Sequence, residues 1–216
     1  MRRLDAHRIA DEARFGGFHA LILFWCAVII IFDGYDLAVA GIALPSIMKD
    51  MGVEPTKAGF MVSSALFGMM FGAIFLGTVA DHIGRRWAII ACIALFSLFT
   101  AAAGLTRDPV WFAVTRFFAG LGIGGVMPNV VAHMTEYAPR RIRSTLVTLM
   151  FSGYAIGGMI AALLGKGLIE AYGWQSVFLA AAAPIVLVPF ILWTLPESIP
   201  FLLDQGRHEE LKRIIA

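Results

Sequence analysis

The chain has 216 residues, 59% hydrophobic and 15% charged, with a mean hydropathy of +0.81. Those proportions exclude an ordinary soluble domain and mark an integral membrane protein whose first partner is the lipid bilayer. A net charge of +2, from 17 Lys and Arg against 15 Asp and Glu, is too small and too scattered for nucleic-acid binding.

The first 19 residues carry Arg2, Arg3, Arg8 and Arg14 among acids and histidines. The apolar run behind them is longer than a signal-peptide core and has no small-residue cleavage site, so this tail is expected to be retained. A bilayer core of about 30 Å needs about 20 apolar residues of helix. Six stretches meet that length, at 20–43, 58–80, 87–105, 110–133, 145–166 and 175–195. No alternating ten-residue pattern supports a barrel, and unpaired backbone amides are excluded from lipid, so all six are predicted to be helices. The expected class is an all-α membrane protein with a tail at 1–19, a bundle at 20–195 and the start of a cytoplasmic segment at 196–216.

The first span contains "FDGYD", with Asp33 and Asp36 in an otherwise oily helix. One Asp near a helix centre costs about 2.5 to 3.5 kcal/mol, against about 0.3 to 0.6 gained per Ile, Leu, Phe or Val. The neighbouring "AVIIIF" offsets one Asp and little more. Residues three apart share a helix face, so both carboxylates are expected to point into the bundle or a wet cavity. Gly34 between them lets a helix or ligand approach. A partly dry cavity penalises their charged forms, by desolvation first and mutual repulsion second, which makes them candidate proton carriers.

The second span, with Gly59, Ser63, Ser64, Gly68, Gly72 and Gly77, and the fifth, with Ser152, Gly153, Gly157, Gly158 and Gly165, are rich in small residues. Close helix packing is the plainer reading. Their matching places in the orders 1-2-3 and 4-5-6 fit a three-plus-three repeat of the kind found in transporters. Cys26 and Cys92 lie in apolar runs and are read as small hydrophobes, with no disulfide expected.

In the fourth span, Arg116 is the other charge inside the membrane. Two readings stand for it: a bidentate contact to an anionic carboxylate, or a pairing with Asp33 or Asp36 that tunes their protonation. Asn129 follows the helix-kinking Pro128, where it either touches substrate or bonds a neighbouring helix. His133 is read as an interfacial histidine rather than a proton relay. Among the aromatics, Tyr35, Phe67 and Tyr154 have rings suited to stacking on a benzene ring. Tyr35 is the one carried forward as a substrate contact, because most of the 17 Phe must be packing.

Orientation follows from Lys and Arg in alternate loops. The tail (Arg2, Arg3, Arg8, Arg14), the second loop (Arg85, Arg86), the fourth (Arg140, Arg141, Arg143) and the C-terminal segment (Arg207, Lys212, Arg213) lie on one side; Lys49, Lys57, Arg107 and Lys166 lie on the other. Both termini are therefore expected in the cytoplasm. Residues from Pro196 onward read as a short amphipathic helix at that surface.

The loop "GTVADHIGRR", from Gly77 to Arg86, resembles the cytoplasmic signature of the major facilitator superfamily, Gly-x-Leu-Ala-Asp-x-x-Gly-Arg-Arg/Lys, with Val79 in place of the Leu. Gly84 permits its tight turn. "RFFAGLGIGG" from Arg116, "EYAPRRIRS" and "LPES" are similar to three further patterns of that superfamily, in the same order. The resemblance implies a cytoplasmic charge network of Asp81, Arg85, Glu136 and Arg143 that helps hold the outward-facing state. "DGYD" and its surroundings are similar to the aromatic acid:proton symporters, the benzoate and 4-hydroxybenzoate carriers in particular. That likeness implies that Asp33 and Asp36 are needed for transport, with protons and an aromatic carboxylate as small partners. Another organic acid or a sugar is the alternative substrate, since the loop motifs are shared across the superfamily.

Superfamily members usually have two six-helix halves, and this chain supplies one. A fragment, an excised domain and a half that pairs with another copy are the three explanations; a fragment is expected to be inactive alone. No enzyme is expected: Ser63, Ser64 and Ser152 lie in spans, but no "GxSxG" occurs and no His stands beside them. No metal or cofactor is expected, and no phosphate-binding loop is present.

Overall fold

The computed structural model describes residue 11 and residues 13–207. Among the described residues, eight helices with defined bounds follow in order: α1 Gly17–Met51, α2 Pro55–Ile83, α3 Arg85–Leu105, α4 Pro109–Tyr137, α5 Arg143–Tyr172, α6 Gln175–Ala181, α7 Pro184–Thr194 and α8 Ile199–Asp204. With α6 and α7 taken as one span, six are long and apolar enough to cross a membrane. No strand occurs among the described residues.

The first five spans run past the hydropathy limits, whereas the sixth ends one residue inside them. At 1.5 Å per residue, the 35 residues of α1 reach about 50 Å, more than the roughly 30 Å of hydrocarbon, so its ends project beyond the lipid. Asp108 starts α4: its Oδ1 accepts from the amides of Val110 and Trp111 at 2.9 and 3.0 Å, with Pro109 in the first helical position. The sixth span is broken where a single helix is expected. Pro184 has no amide hydrogen to give, and the chain crosses residues 182 and 183 on three-residue hydrogen bonds, Ala183 to Ala180 and Val186 to Ala183.

The broadest contacts are α2 on α4 and α1 on α5, with α3 also laid along α4. Exchanging the first three spans for the last three turns the α1–α5 pair into the α4–α2 pair, as the three-plus-three repeat requires. Glycine makes the α2–α4 crossing close. A methyl group on Gly68 or Gly72 would overlap the carbonyl of Phe117 or Leu121, and one on Gly120 or Gly124 that of Ala65 or Met69. Gly157 meets the Ile31 carbonyl on α1 in the same way, so small residues set the spacing of both pairs. Gly59 and Gly158 face open space and have no such role.

Two apolar clusters fill the interior. One holds Ile22 to Ile30 of α1 with Phe96, Ile123 and Met134, and the other holds Tyr35 to Ile47 with Phe112, Trp174 and Phe178. Asp33 and Gly34 fall at the seam between them, near the midpoint of α1. Cys26 and Cys92 are free buried thiols of the first cluster. The start of the expected surface helix appears as α8, whose Ile199 and Leu202 are buried; residues 208–216 of that expectation lie outside the described residues, as do Arg2, Arg3 and Arg8 of the tail.

Candidate functional site

The seam is polar. Asp33, Asp36, Ser97, Thr100 and Arg116 are each no more than 1% exposed and are contributed by α1, α3 and α4. Arg116 faces Asp36 fork to fork, Nη1 to Oδ1 and Nη2 to Oδ2, both at 2.9 Å. Thr100 donates to the same Oδ1 at 3.2 Å, and the guanidinium lies 5.6 Å from the centre of the Phe178 ring. Two opposite charges out of water persist only in such geometry, with both forks engaged and a further donor in place. Of the two readings of Arg116, the structure therefore adopts the pairing with Asp36.

Asp33 has a different neighbour. The Tyr154 hydroxyl of α5 donates to its Oδ2, while its Oδ1 is buried with no hydrogen-bond partner. The two aspartates face inward as expected but diverge, one toward α5 and the other toward α3 and α4. Gly34 explains how α5 comes within reach: a Cβ there would lie 2.6 Å from the Tyr154 carbonyl oxygen. Tyr35 turns away into the second apolar cluster, where its hydroxyl donates to the Val177 carbonyl at 3.4 Å. Asn129 bridges helices, its Nδ2 donating to Gly125 O at 2.8 Å and to Leu76 O of α2 at 3.3 Å. His133 is fully buried in the last turns of α4, its ring 5.3 Å from that of Tyr137.

An open groove of about 870 Å³ runs along α2 and α4 and reaches α5 at Tyr154. Its walls are largely carbon and sulfur, with Met69, Met70, Met127 and Val131 among them. Volume and lining are those of a small-molecule site, with Thr135 and Tyr154 as the polar side chains in the lining. Phe67 is largely exposed on α2.

The loop from Gly77 to Arg86 forms a second cluster, at the end expected to be cytoplasmic. Arg85 Nε donates to Glu136 Oε1, and Asp81 lies 3.7 Å from Arg85. Arg143 is not in that network: it pairs with Asp11 and donates to the Ala138 carbonyl, because α5 starts at Arg143 and the fourth loop turns that side chain toward the N-terminal segment. Glu197 takes the remaining place. Its Oε1 accepts from the amides of Arg86 and Ser198 at 3.1 and 2.9 Å, at the start of α3. Gly84 has φ +93, and a Cβ there would lie 2.8 Å from the Glu197 carboxylate, so both backbone and space require glycine. A Cβ on Gly77 would meet Pro128 at 4.0 Å, an ordinary contact, so space alone does not require glycine there. Arg86 also donates to Leu195 O at 3.4 Å.

Thr100, Ser97 and Asp11 were not singled out from sequence, since a lone hydroxyl in a span or an acid in a tail has no spacing to mark it. Glu197 was marked only as part of "LPES".

The family model described as Major Facilitator Superfamily matches residues 26–215. The benzoate transport protein of Acinetobacter baylyi is 47% identical over 99% of this chain and 47% of its own length. The gallate transporter of Pseudomonas putida is 36% identical over 92% of this chain and 44% of its own. A 4-hydroxybenzoate transporter of A. baylyi is 37% identical over 98% and 47%. The chain thus spans about half the length of the curated relatives it matches, and these relatives are transporters rather than enzymes. In fold it is similar to the proton:xylose symporter XylE, with a TM-score of 0.83 at 21% identity over 92% of this chain and 49% of that one.

Proposed function

The chain belongs to the Major Facilitator Superfamily, and on that premise we propose that it is the N-terminal six-helix half of a proton-coupled transporter. Its substrate is an aromatic carboxylate such as benzoate or 4-hydroxybenzoate, taken up across the inner membrane by alternating access. The observation that carries this reading is the seam itself. A neutralised Asp36–Arg116 pair and an Asp33 with one unpartnered oxygen sit in the middle of an apolar bundle whose groove is the size of a small-molecule site.

Protons reach Asp33 and Asp36 from the outer side and lower their repulsion toward an anion. Protonation of Asp36 also weakens its hold on Arg116, whose fork then becomes available to the substrate carboxylate, which unites the two roles read for that residue. Rocking of the bundle exposes the site inward, where the higher pH removes the protons. The Asp81, Arg85 and Glu136 cluster holds the outward-facing state on the cytoplasmic side, and both termini of this segment lie on that side. A second six-helix half, or another copy, completes the cavity, and residues 196–216 begin the loop that leads to it.

Uptake of labelled benzoate, by cells making the chain together with its second half, tests the reading with and without an uncoupler. Uptake that collapses with the proton gradient is the expected result. Uptake indifferent to the uncoupler would reject symport, and failure to take up either benzoate or 4-hydroxybenzoate would reject the substrate class.

A further inference from the structure

Tyr154 stands where the buried seam and the open groove meet. Its hydroxyl donates to Asp33 Oδ2 and its side chain is part of the groove wall. The groove lining has one other hydroxyl, Thr135, which donates to the Ala132 carbonyl of its own helix at 2.9 Å. Tyr154 is thus the groove hydroxyl held by an ionisable group rather than by backbone. Its acceptor changes character with a single proton.

The surrounding charges isolate Asp33 further. Asp36 on the same helix is closed onto Arg116 of α4, the neighbour from α3 is the uncharged Thr100 on Asp36, and α5 supplies Tyr154. Asp33 is therefore the carboxylate in the seam with no cation on it, and the Tyr154 hydroxyl is its hydrogen-bond donor. A buried carboxylate in that position is sensitive to the loss of one donor.

We propose that Tyr154 is a ligand-binding residue that links the protonation of Asp33 to occupancy of the groove. With Asp33 ionised, the hydroxyl is held on its carboxylate. With Asp33 protonated, the hydroxyl is released to the groove and donates to the carboxylate of an aromatic acid whose ring lies against Met69, Met70 and Met127. One O–H bond forms on Asp33 with a proton given up by hydronium of the outer aqueous side, which leaves water; Tyr154 keeps its own proton and changes acceptor. The ligand half of this proposal rests on the reading of the protein as an aromatic-acid transporter, whereas the Tyr154–Asp33 link does not.

Two measurements separate them. Infrared difference titration of the 216-residue chain in liposomes identifies the carboxylic-acid band that Asp33→Asn removes. Tyr154→Phe, which keeps the ring, is expected to move both the frequency and the midpoint of that band. In the transporter completed with its second half, Tyr154→Phe is expected to raise the KM for benzoate about tenfold, the loss of one hydrogen bond to a charged group, with a much smaller change in maximal rate. Placed on Asp33→Asn, where the acceptor stays neutral at every pH, Tyr154→Phe should still weaken benzoate binding about tenfold, but by a factor that no longer varies with pH. An Asp33 band indifferent to Tyr154→Phe overturns the link even if benzoate is carried. A band that moves while the wild type carries no benzoate supports the link and overturns the transport reading. A Tyr154→Phe penalty on benzoate binding that varies with pH alike with and without Asp33→Asn overturns the coupling through Asp33.

Discussion

The four residues of "DGYD" divide their work among four neighbours. Asp33 meets Tyr154, Gly34 makes room for the Tyr154 backbone, Tyr35 anchors to Val177, and Asp36 meets Arg116 and Thr100. The insertion cost of two acids was legible in the sequence and correctly located the seam. Their separate partners were not, because a spacing of three fixes the face of α1 but not which of α3, α4 and α5 each side chain reaches. The Asp36–Arg116 pair leads to a definite expectation. Arg116→Gln leaves Asp36 buried without its cation and should destabilise the bundle by about 3 to 5 kcal/mol, while Asp36→Asn with Arg116→Gln should recover most of that loss. Thermal unfolding in detergent micelles measures both, and uptake should stay lost in the double variant because the Asp36 carboxylate and the Arg116 fork are both gone.

At the scale of helices, the small residues sort into those that meet a backbone and those that meet nothing. Composition located the glycine-rich spans, and the packing reading was sound for Gly68, Gly72 and Gly157. It failed to separate them from Gly59 and Gly158, since periodicity alone does not say which face of a membrane helix meets lipid. Gly120→Ala should therefore disrupt the α2–α4 crossing and lower the unfolding temperature strongly, whereas Gly158→Ala should leave stability within about 0.5 kcal/mol. The α2–α3 turn is equally specific. Gly84→Ala forces a side chain into a left-handed backbone at about 1 to 2 kcal/mol and also pushes on Glu197, so its unfolding midpoint should fall further than the backbone strain alone predicts. The break in the sixth span was missed for a simple reason: Pro184 was counted within an apolar run rather than as the start of a new helix.

Across the whole bundle, motif resemblance placed the loop cluster at one end and grouped four charges that the fold divides between two sites. Arg85 and Glu136 share a hydrogen bond, while Arg143 pairs with Asp11. A double-mutant cycle should then give a coupling of about 0.5 to 3 kcal/mol for Arg85 with Glu136 and a value within about 0.5 kcal/mol of zero for Arg143 with Glu136. Stability in micelles is the measurement, and comparable coupling for both pairs would restore the single network. Glu197 carries a consequence of another kind. It accepts the Arg86 amide across 111 residues of chain, so during synthesis the start of α3 waits without that acceptor until the sixth span has been made and inserted. The tight turn at Gly84 is then completed last although it is encoded early, and a chain interrupted just before Glu197 would hold all six spans in the bilayer around an unlatched end.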